Sequence, residues 1–483
     1  MSARRCSILV LVLSGLPIFA VGQNPPAQNL PAQNPEPVDT SGTRPTPAPA
    51  LSGLIGMDTQ LETEDSSGDL PQIPTLFGGP KMSLAFPSEQ ERSNYLHGGL
   101  NVSAAYDDNA VLTPSGAIAN TSYSIFPNIS IEQTRSRARW TLGYAGGLTV
   151  NERLSSRNQG SHDFAFDSQF RLSPHVTLHL AEDFSLVSGF FDSSAGAYSG
   201  GSSGGGNTSI IAPLSKQRTS STVAEVNYHF ALKDLVGVSG SFYDLHFDDV
   251  PTGYTLASSQ TAAGSVFWFH QLLGRDWAGV SYRFQRLTFD PGAGETLVHS
   301  IMFVNTVSLP GRFTVSGFLG PERSDNHGSF VVGGGTGTSE PFGNWSLAGG
   351  VDAGWRKDHT SVAAGYSRRI NDGGGVLGAV RAQSVHGSMR QELRPGWTIA
   401  VSATYGSNDS ITAPVAGSAQ SLKSATLKAE LERNLGKSIG FQAGYEHDFQ
   451  DQIGTADPAL QGGAHRNRFY VTLGYQWARA LGR

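Results

Sequence analysis

The chain has 483 residues, of which 38% are hydrophobic, 10% aromatic and only 15% charged, with 59 glycines, one cysteine and a net charge of -6. Charged residues fall well below the roughly 25% usual for soluble domains, and so small a net charge leaves no electrostatic footprint for nucleic acid. One or two soluble domains or a single large barrel fit this length.

Residues 1–22 read as a cleavable signal peptide: Arg4 and Arg5 precede an apolar core, Ile8–Val21, and Ala20-Val21-Gly22 form a small-residue cleavage site. Ser14, Gly15 and Pro17 interrupt that core, which is shorter than the ~20 residues of a spanning helix. Cys6 lies ahead of it, so the mature chain is expected to carry neither a lipidated cysteine nor a disulfide. No other stretch is apolar enough for a spanning helix, which leaves strands to cross any membrane.

Residues 23–94 form a Pro-rich tail. Pro26-Ala27-Gln28-Asn29 repeats at Pro31-Ala32-Gln33-Asn34, and Pro45, Pro47 and Pro49 follow. Such a composition buries no core and reads as an extended periplasmic spacer. Leu51–Leu61 suggests a short helix, and Leu76–Phe86 a segment that enters the barrel as a plug.

From residue 95 the pattern changes to strands of alternating polarity. Near Leu96–Tyr106, Leu96, Leu100, Val102 and Ala104 oppose His97, Asn101 and Ser103. Trp140, Leu142, Tyr144, Leu148 and Val150 oppose Arg139, Thr141, Gly143, Gly147 and Asn151; Phe164, Phe166, Phe170 and Leu172 oppose Asp167, Gln169 and Arg171. Trp397, Ile399, Val401 and Tyr405 oppose Thr398, Ser402 and Thr404, and the last strand sets Phe469, Val471, Leu473, Tyr475 and Trp477 against Arg468, Thr472 and Gln476. Val236–Leu245 is apolar on both faces, and Glu182 falls on an otherwise lipid-facing row; a bulge or a shifted register would account for either.

Short turns are predicted at 134–137, 173–175, 233–234, 274–276, 310–311, 357–358, 394–396 and 434–437. Between them lie long polar loops at 107–121, 151–161, 188–217, 248–258, 321–342, 408–419 and 451–466. Long loops at one end, strands of about a dozen residues and aromatics toward strand ends are the marks of a transmembrane barrel. Those aromatics are Tyr106, Trp140, Tyr228, Trp277, Tyr282, Trp355, Tyr366, Tyr405, Tyr445, Tyr475 and Trp477. Residues 95–483 are therefore expected to form an all-β, transmembrane antiparallel β-barrel of about 18 strands, with 16 also compatible.

The first strand ends Ala105-Tyr106-Asp107-Asp108-Asn109, a step with which the chain resembles the β-barrel porin families of Gram-negative outer membranes. The resemblance covers residues 95–477 as an architecture and only four residues as a motif. It implies an outer-membrane barrel acting as a pore or in polysaccharide export, and no catalytic residue. Such barrels commonly finish on an aromatic residue, whereas here Trp477 is followed by Ala478–Arg483.

The polar row would line the lumen: Arg139, Asp167, Arg171, His179, Asp183, Glu225, Arg283, Gln285, Lys428, Glu430, Gln442, Glu446, Asp448 and Arg468. A barrel of about 18 strands leaves an aqueous channel, and a wall of both signs should be wet and weakly ion-selective. The glycine-rich loop 188–217 reads first as a disordered external loop, with an inward-folded constriction as the alternative. Asp107-Asp108-Asn109 and His246-Phe247-Asp248-Asp249 place carboxylates at the rim, where hydrated charges or a divalent cation are alternatives. His246 and Asp248 share a face, but no nucleophile is identifiable by spacing. No cofactor, bound metal or enzymatic activity is expected. The expected partners are outer-membrane lipid, the barrel-assembly machinery, small hydrophilic solutes or an exported polysaccharide, and further copies of the chain in a homo-oligomer. Two other functions fit the sequence: a non-conducting scaffold or adhesin with partner-binding outer loops, and a secreted soluble carbohydrate-binding protein.

Overall fold

A computed structural model describes residues 72–73, 82–83, 94–187, 216–249, 256–272, 276–290, 294–309, 312–327, 342–411, 421–436, 438–453 and 462–481. The expected signal peptide, the Pro-rich tail and the suggested plug lie outside these residues, apart from a two-residue ladder between Gln72–Ile73 and Met82–Ser83.

Eighteen antiparallel strands close into a barrel. In chain order they are β1 (Asn94–Asp107), β2 (Asn120–Arg135), β3 (Ala138–Asn151), β4 (Gln159–Arg171), β5 (Val176–Val187) and β6 (Lys216–Ala231). The next six are β7 (Asp234–Asp249), β8 (Ser258–Gln271), β9 (Trp277–Asp290), β10 (Gly294–Leu309), β11 (Phe313–His327) and β12 (Phe342–Lys357). Then come β13 (Thr360–Gly373), β14 (Leu377–Arg394), β15 (Trp397–Ser410), β16 (Ser421–Leu435), β17 (Ile439–Ile453) and β18 (Gly462–Ala480). Each strand pairs with the next, and β18 closes on β1 with Phe469 opposite Tyr106 and Tyr475 opposite Leu100. The residues after Trp477 continue this last strand as far as Ala480.

Period-two alternation sorts side chains between solvents. On β18, Val471, Leu473 and Tyr475 are 46%, 51% and 50% exposed on the outer wall, while Arg468 and Thr472 face inward at 2% and 7%. A soluble protein does not leave such a continuous apolar surface bare; hydrocarbon is its solvent. The turns at one end are short, and the β14–β15 turn shows why: Pro395 sets φ for one central position and Gly396, at φ +82°, takes the left-handed one.

Several expectations change. Of the nine connections at the other end, two are short as well: 291–293 and 374–376. Trp277 belongs to no girdle, since it points inward and packs with Leu235, Phe267, Phe269 and Met302. Neither Val236–Leu245 nor the stretch around Glu182 contains a bulge; the β6–β7 ladder shifts register only at its ends. Glu182 stands on the outer face in regular register, opposite Phe166 and Thr222, where the hydroxyls of Ser220 (3.1 Å) and Thr222 donate to its carboxylate. The β7 row of Tyr243, Leu245 and Phe247 is apolar because it faces a packed interior.

Leu473 sits midway along the lipid-facing row. Leu473→Arg should destabilise the barrel by about 2–4 kcal/mol, and Tyr475→Arg, nearer the interface, by about 1 kcal/mol at most. Denaturant unfolding in lipid vesicles measures both.

Candidate functional site

The lumen is narrowed by a hairpin that leaves the wall. β13 pairs with β12 only as far as Arg368 opposite Gly349, whereas β13 and β14 remain paired out to Gly373 opposite Leu377. The freed tip folds into the barrel. Asp372, wholly buried, accepts the Ser259 hydroxyl of β8 (3.3 Å), and the Gly375 carbonyl accepts the Ala257 N–H (2.8 Å). Ile370 and Ala379 pack with Leu287 and Phe289 of β9, Val298 of β10 and Ile411. Three successive glycines permit the approach: Gly375 has φ +81°, and a Cβ there would lie 2.2 Å from the Phe247 ring. The constriction anticipated in loop 188–217 cannot be placed, because 188–215 lie outside the described residues; the structure supplies this hairpin instead.

Charged side chains surround the hairpin's root. Glu322 of β11, 4% exposed, accepts the Ile370 N–H at 3.1 Å and lies within electrostatic reach of Arg283 and Arg369. Arg369 also senses Asp352 on β12. Of this set only Arg283 was expected. Arg369 and Asp372 flank the route into Gly373-Gly374-Gly375, and that glycine run was the available signal.

A second network lies on β16, β17, β18 and β1. Glu446 stands opposite Arg468, and Asp448 opposite Arg466. Asp448 accepts two bonds from Arg466 (2.6 and 3.0 Å) and the Thr426 hydroxyl (2.8 Å). Arg468 reaches Asp107 at 2.8 Å and Glu446 at 3.8 Å. Lys428 pairs with Glu430 at 2.8 Å, and Glu430 also accepts from Gln442 (3.0 Å) and the Tyr470 hydroxyl. These side chains were expected to be wet; they are buried and paired, because cross-strand neighbours of opposite charge satisfy one another along the wall.

The remaining candidates are scattered. Arg139 meets Glu132 (3.4 Å) at the short-turn mouth with half its side chain exposed, and His179 meets Asp167 at 2.7 Å. Asn227 donates to Glu225 (2.7 Å) and Gln285 is buried. Arg171 and Asp183 share the inner face of β4 and β5, each with an interaction of its own. At the rim, Arg468 takes Asp107, while Asp108 accepts the Asn467 N–H (2.7 Å) and its amide (2.6 Å). His246 lies 3.4 Å from Asp248 and 3.0 Å from the hydroxyl of Ser258, its cross-strand neighbour. That hydroxyl also accepts the Phe247 N–H (3.3 Å), which closes the β7–β8 ladder.

Removing one partner of a buried ion pair leaves the other charge unsolvated. Asp448→Ala should therefore cost about 3–5 kcal/mol, while Asp167→Ala, half exposed beside His179, should cost about 1 kcal/mol or less. Unfolding midpoints of the two refolded variants test the contrast.

No family model matches the sequence, and no curated protein matches it. Solved structures similar to the chain include the ferric citrate transporter FecA in its unliganded form, at 8% identity over 82% of this chain and 80% of that one, with a TM-score of 0.42. Pseudomonas aeruginosa OpdK with vanillate is 9% identical over 80% of this chain and 99% of its own (TM-score 0.40). Pseudomonas aeruginosa OprD is 12% identical over 81% and 96% (TM-score 0.41). The case for what this barrel does rests on its own wall and lumen.

Proposed function

We propose that the protein is an outer-membrane pore for small hydrophilic solutes, exported by its signal peptide, folded into lipid by the barrel-assembly machinery, and constricted by the β13–β14 hairpin. The observation that carries this reading is a closed wall of eighteen strands, apolar outside and charged within, around a hairpin that occupies part of the cross-section. Eighteen strands enclose more space than side chains alone fill.

The proposed lining comprises Arg139, Asp167, Arg171, His179, Asp183, Arg283, Lys428, Glu430, Glu446, Asp448 and Arg468. Glu322 and Arg369 join it at the narrowing. Because most of these charges are neutralised by a neighbour, discrimination between small anions and cations should be weak. An extended polymer such as a polysaccharide would need the hairpin to swing away from β7–β9, against buried hydrogen bonds and an apolar cluster. Small solutes need no such movement, which favours them.

Planar-bilayer recording tests the reading. The inserted protein should conduct, with a cation-to-anion permeability ratio near unity. Replacing residues 372–377 with an Asn-Gly turn should raise single-channel conductance, as should Gly375→Val, whose side chain collides with Phe247. A folded, inserted barrel that passes no current would overturn the proposal.

A further inference from the structure

Everywhere else in the barrel the wall is paired well toward the outer rim; between β12 and β13 it parts. The β11–β12 ladder continues to Asn326 opposite Phe342, so residues 342–348 of β12 have a strand on one side only. The parting is built in. The Ile370 N–H, which would otherwise face β12, is taken by Glu322, and that carboxylate is tied back to β12 through Ser346 (3.5 Å).

Two arginines lie on one row at the seam, at the register where the hairpin begins to turn inward. Arg368 is the last residue of β13 paired to β12; Arg381 of β14, one diagonal step away, stands between Ile370 of β13 and Asp409 of β15, so the two cations outnumber the one carboxylate at this register. Diagonal neighbours on one face of a sheet lie within reach of long side chains. In both, Nε is buried and has no hydrogen-bond partner. Arg283, Arg369, Arg466 and Arg468, by contrast, each have an interaction of their own. A guanidinium presents a planar fork suited to phosphate or carboxylate, and leaving it partly desolvated and unpaired is costly.

What lies beneath the arginines is apolar. One step toward the short-turn end, the same row contains Val351, Tyr366 and Val385, 47%, 38% and 49% exposed. Below them Ala353, Ala364, Gly387 and Ala403 run side by side across four strands. A Cβ at Gly387 would meet only the Ala363 carbonyl, at 3.9 Å, so this row forms a shallow trough in the wall. Trp345 and Leu347, the most exposed apolar residues of β12, flank the seam. Cations above and a trough below match an outer-leaflet lipid, acidic head uppermost and acyl chain pointing inward.

We propose that the seam between β12 and β13 binds an anionic lipid of the outer leaflet, with Arg368 and Arg381 holding its phosphate and the Val351–Tyr366–Val385 face holding its chain. This rests on the barrel lying in a membrane, although not on its conducting.

The test is native mass spectrometry of the full barrel in neutral detergent with dilauroyl phosphatidic acid, dilauroyl phosphatidylcholine or inorganic phosphate. Wild-type protein should retain one phosphatidic acid at least about tenfold more tightly than phosphatidylcholine. The Arg368→Gln/Arg381→Gln variant should lose that preference by about tenfold, while keeping wild-type heat-modifiable migration and conductance. If the double variant does not fold, Arg381→Gln alone is read in the same way, and the comparison of lipids on wild-type protein stands without either. Equal retention of the two lipids overturns the proposal. So does undiminished preference in the folded variant, or displacement of phosphatidic acid by millimolar inorganic phosphate, which would mark a free-anion site. Loss of conductance with lipid preference intact would strike the pore reading alone.

Discussion

A strand placed in hydrocarbon has no water to satisfy its amides, so each backbone donor and acceptor must find its partner on a neighbouring strand, and the last strand must return to the first. The antiparallel ladder from β1 through β18 and back to β1 meets that requirement. Once the wall is closed, period-two alternation dictates the rest: one row of side chains meets lipid, and the other faces an enclosed space too wide to be filled by residues of the wall alone. The single large departure, the parting of β12 from β13, releases the hairpin that narrows the lumen and opens the seam at which Arg368 and Arg381 lie.

The interior follows a different logic from an open, wet cylinder. Its charges are arranged as cross-strand pairs, so that Arg466 and Arg468 are answered by Asp448, Glu446 and Asp107 across adjacent ladders. Its apolar inner residues, Leu287, Phe289, Val298 and Ile370 among them, exist because the folded-in hairpin gives one part of the wall a protein interior to pack against. Such packing makes the hairpin a fixed part of the barrel, and it explains how a turn of three residues can occupy a position where long loops are the rule.

Strand faces were legible in the sequence wherever one side of a strand meets lipid and the other meets polar groups. β18 is the clearest case, with Phe469 through Trp477 outward and Arg468 and Thr472 inward. Legibility failed where that contrast fails. On β7 both faces are apolar, one against lipid and one against Leu256 and the hairpin, so alternation vanishes along Val236–Leu245, where the register is regular. Trp277 reads as an interface aromatic by composition, yet faces a buried cluster. The hairpin was missed because its signal, Gly373-Gly374-Gly375 within a region of short connections, describes a permissive backbone and not a direction of folding. Arg369, Glu322 and Asp372 gain their roles from contacts between strands distant in order, which no local pattern encodes.

The central claim is that lipid and lumen lie on opposite sides of every strand, and β18 offers the most direct measurement of it. Single spin labels placed at successive positions from 469 to 476 of the barrel in vesicles report collision with oxygen, which dissolves in lipid, and with a water-soluble nickel chelate. The account predicts that oxygen accessibility peaks at 469, 471, 473 and 475 and falls at the intervening positions. Labels that are uniformly accessible to the chelate, with no alternation, would contradict it.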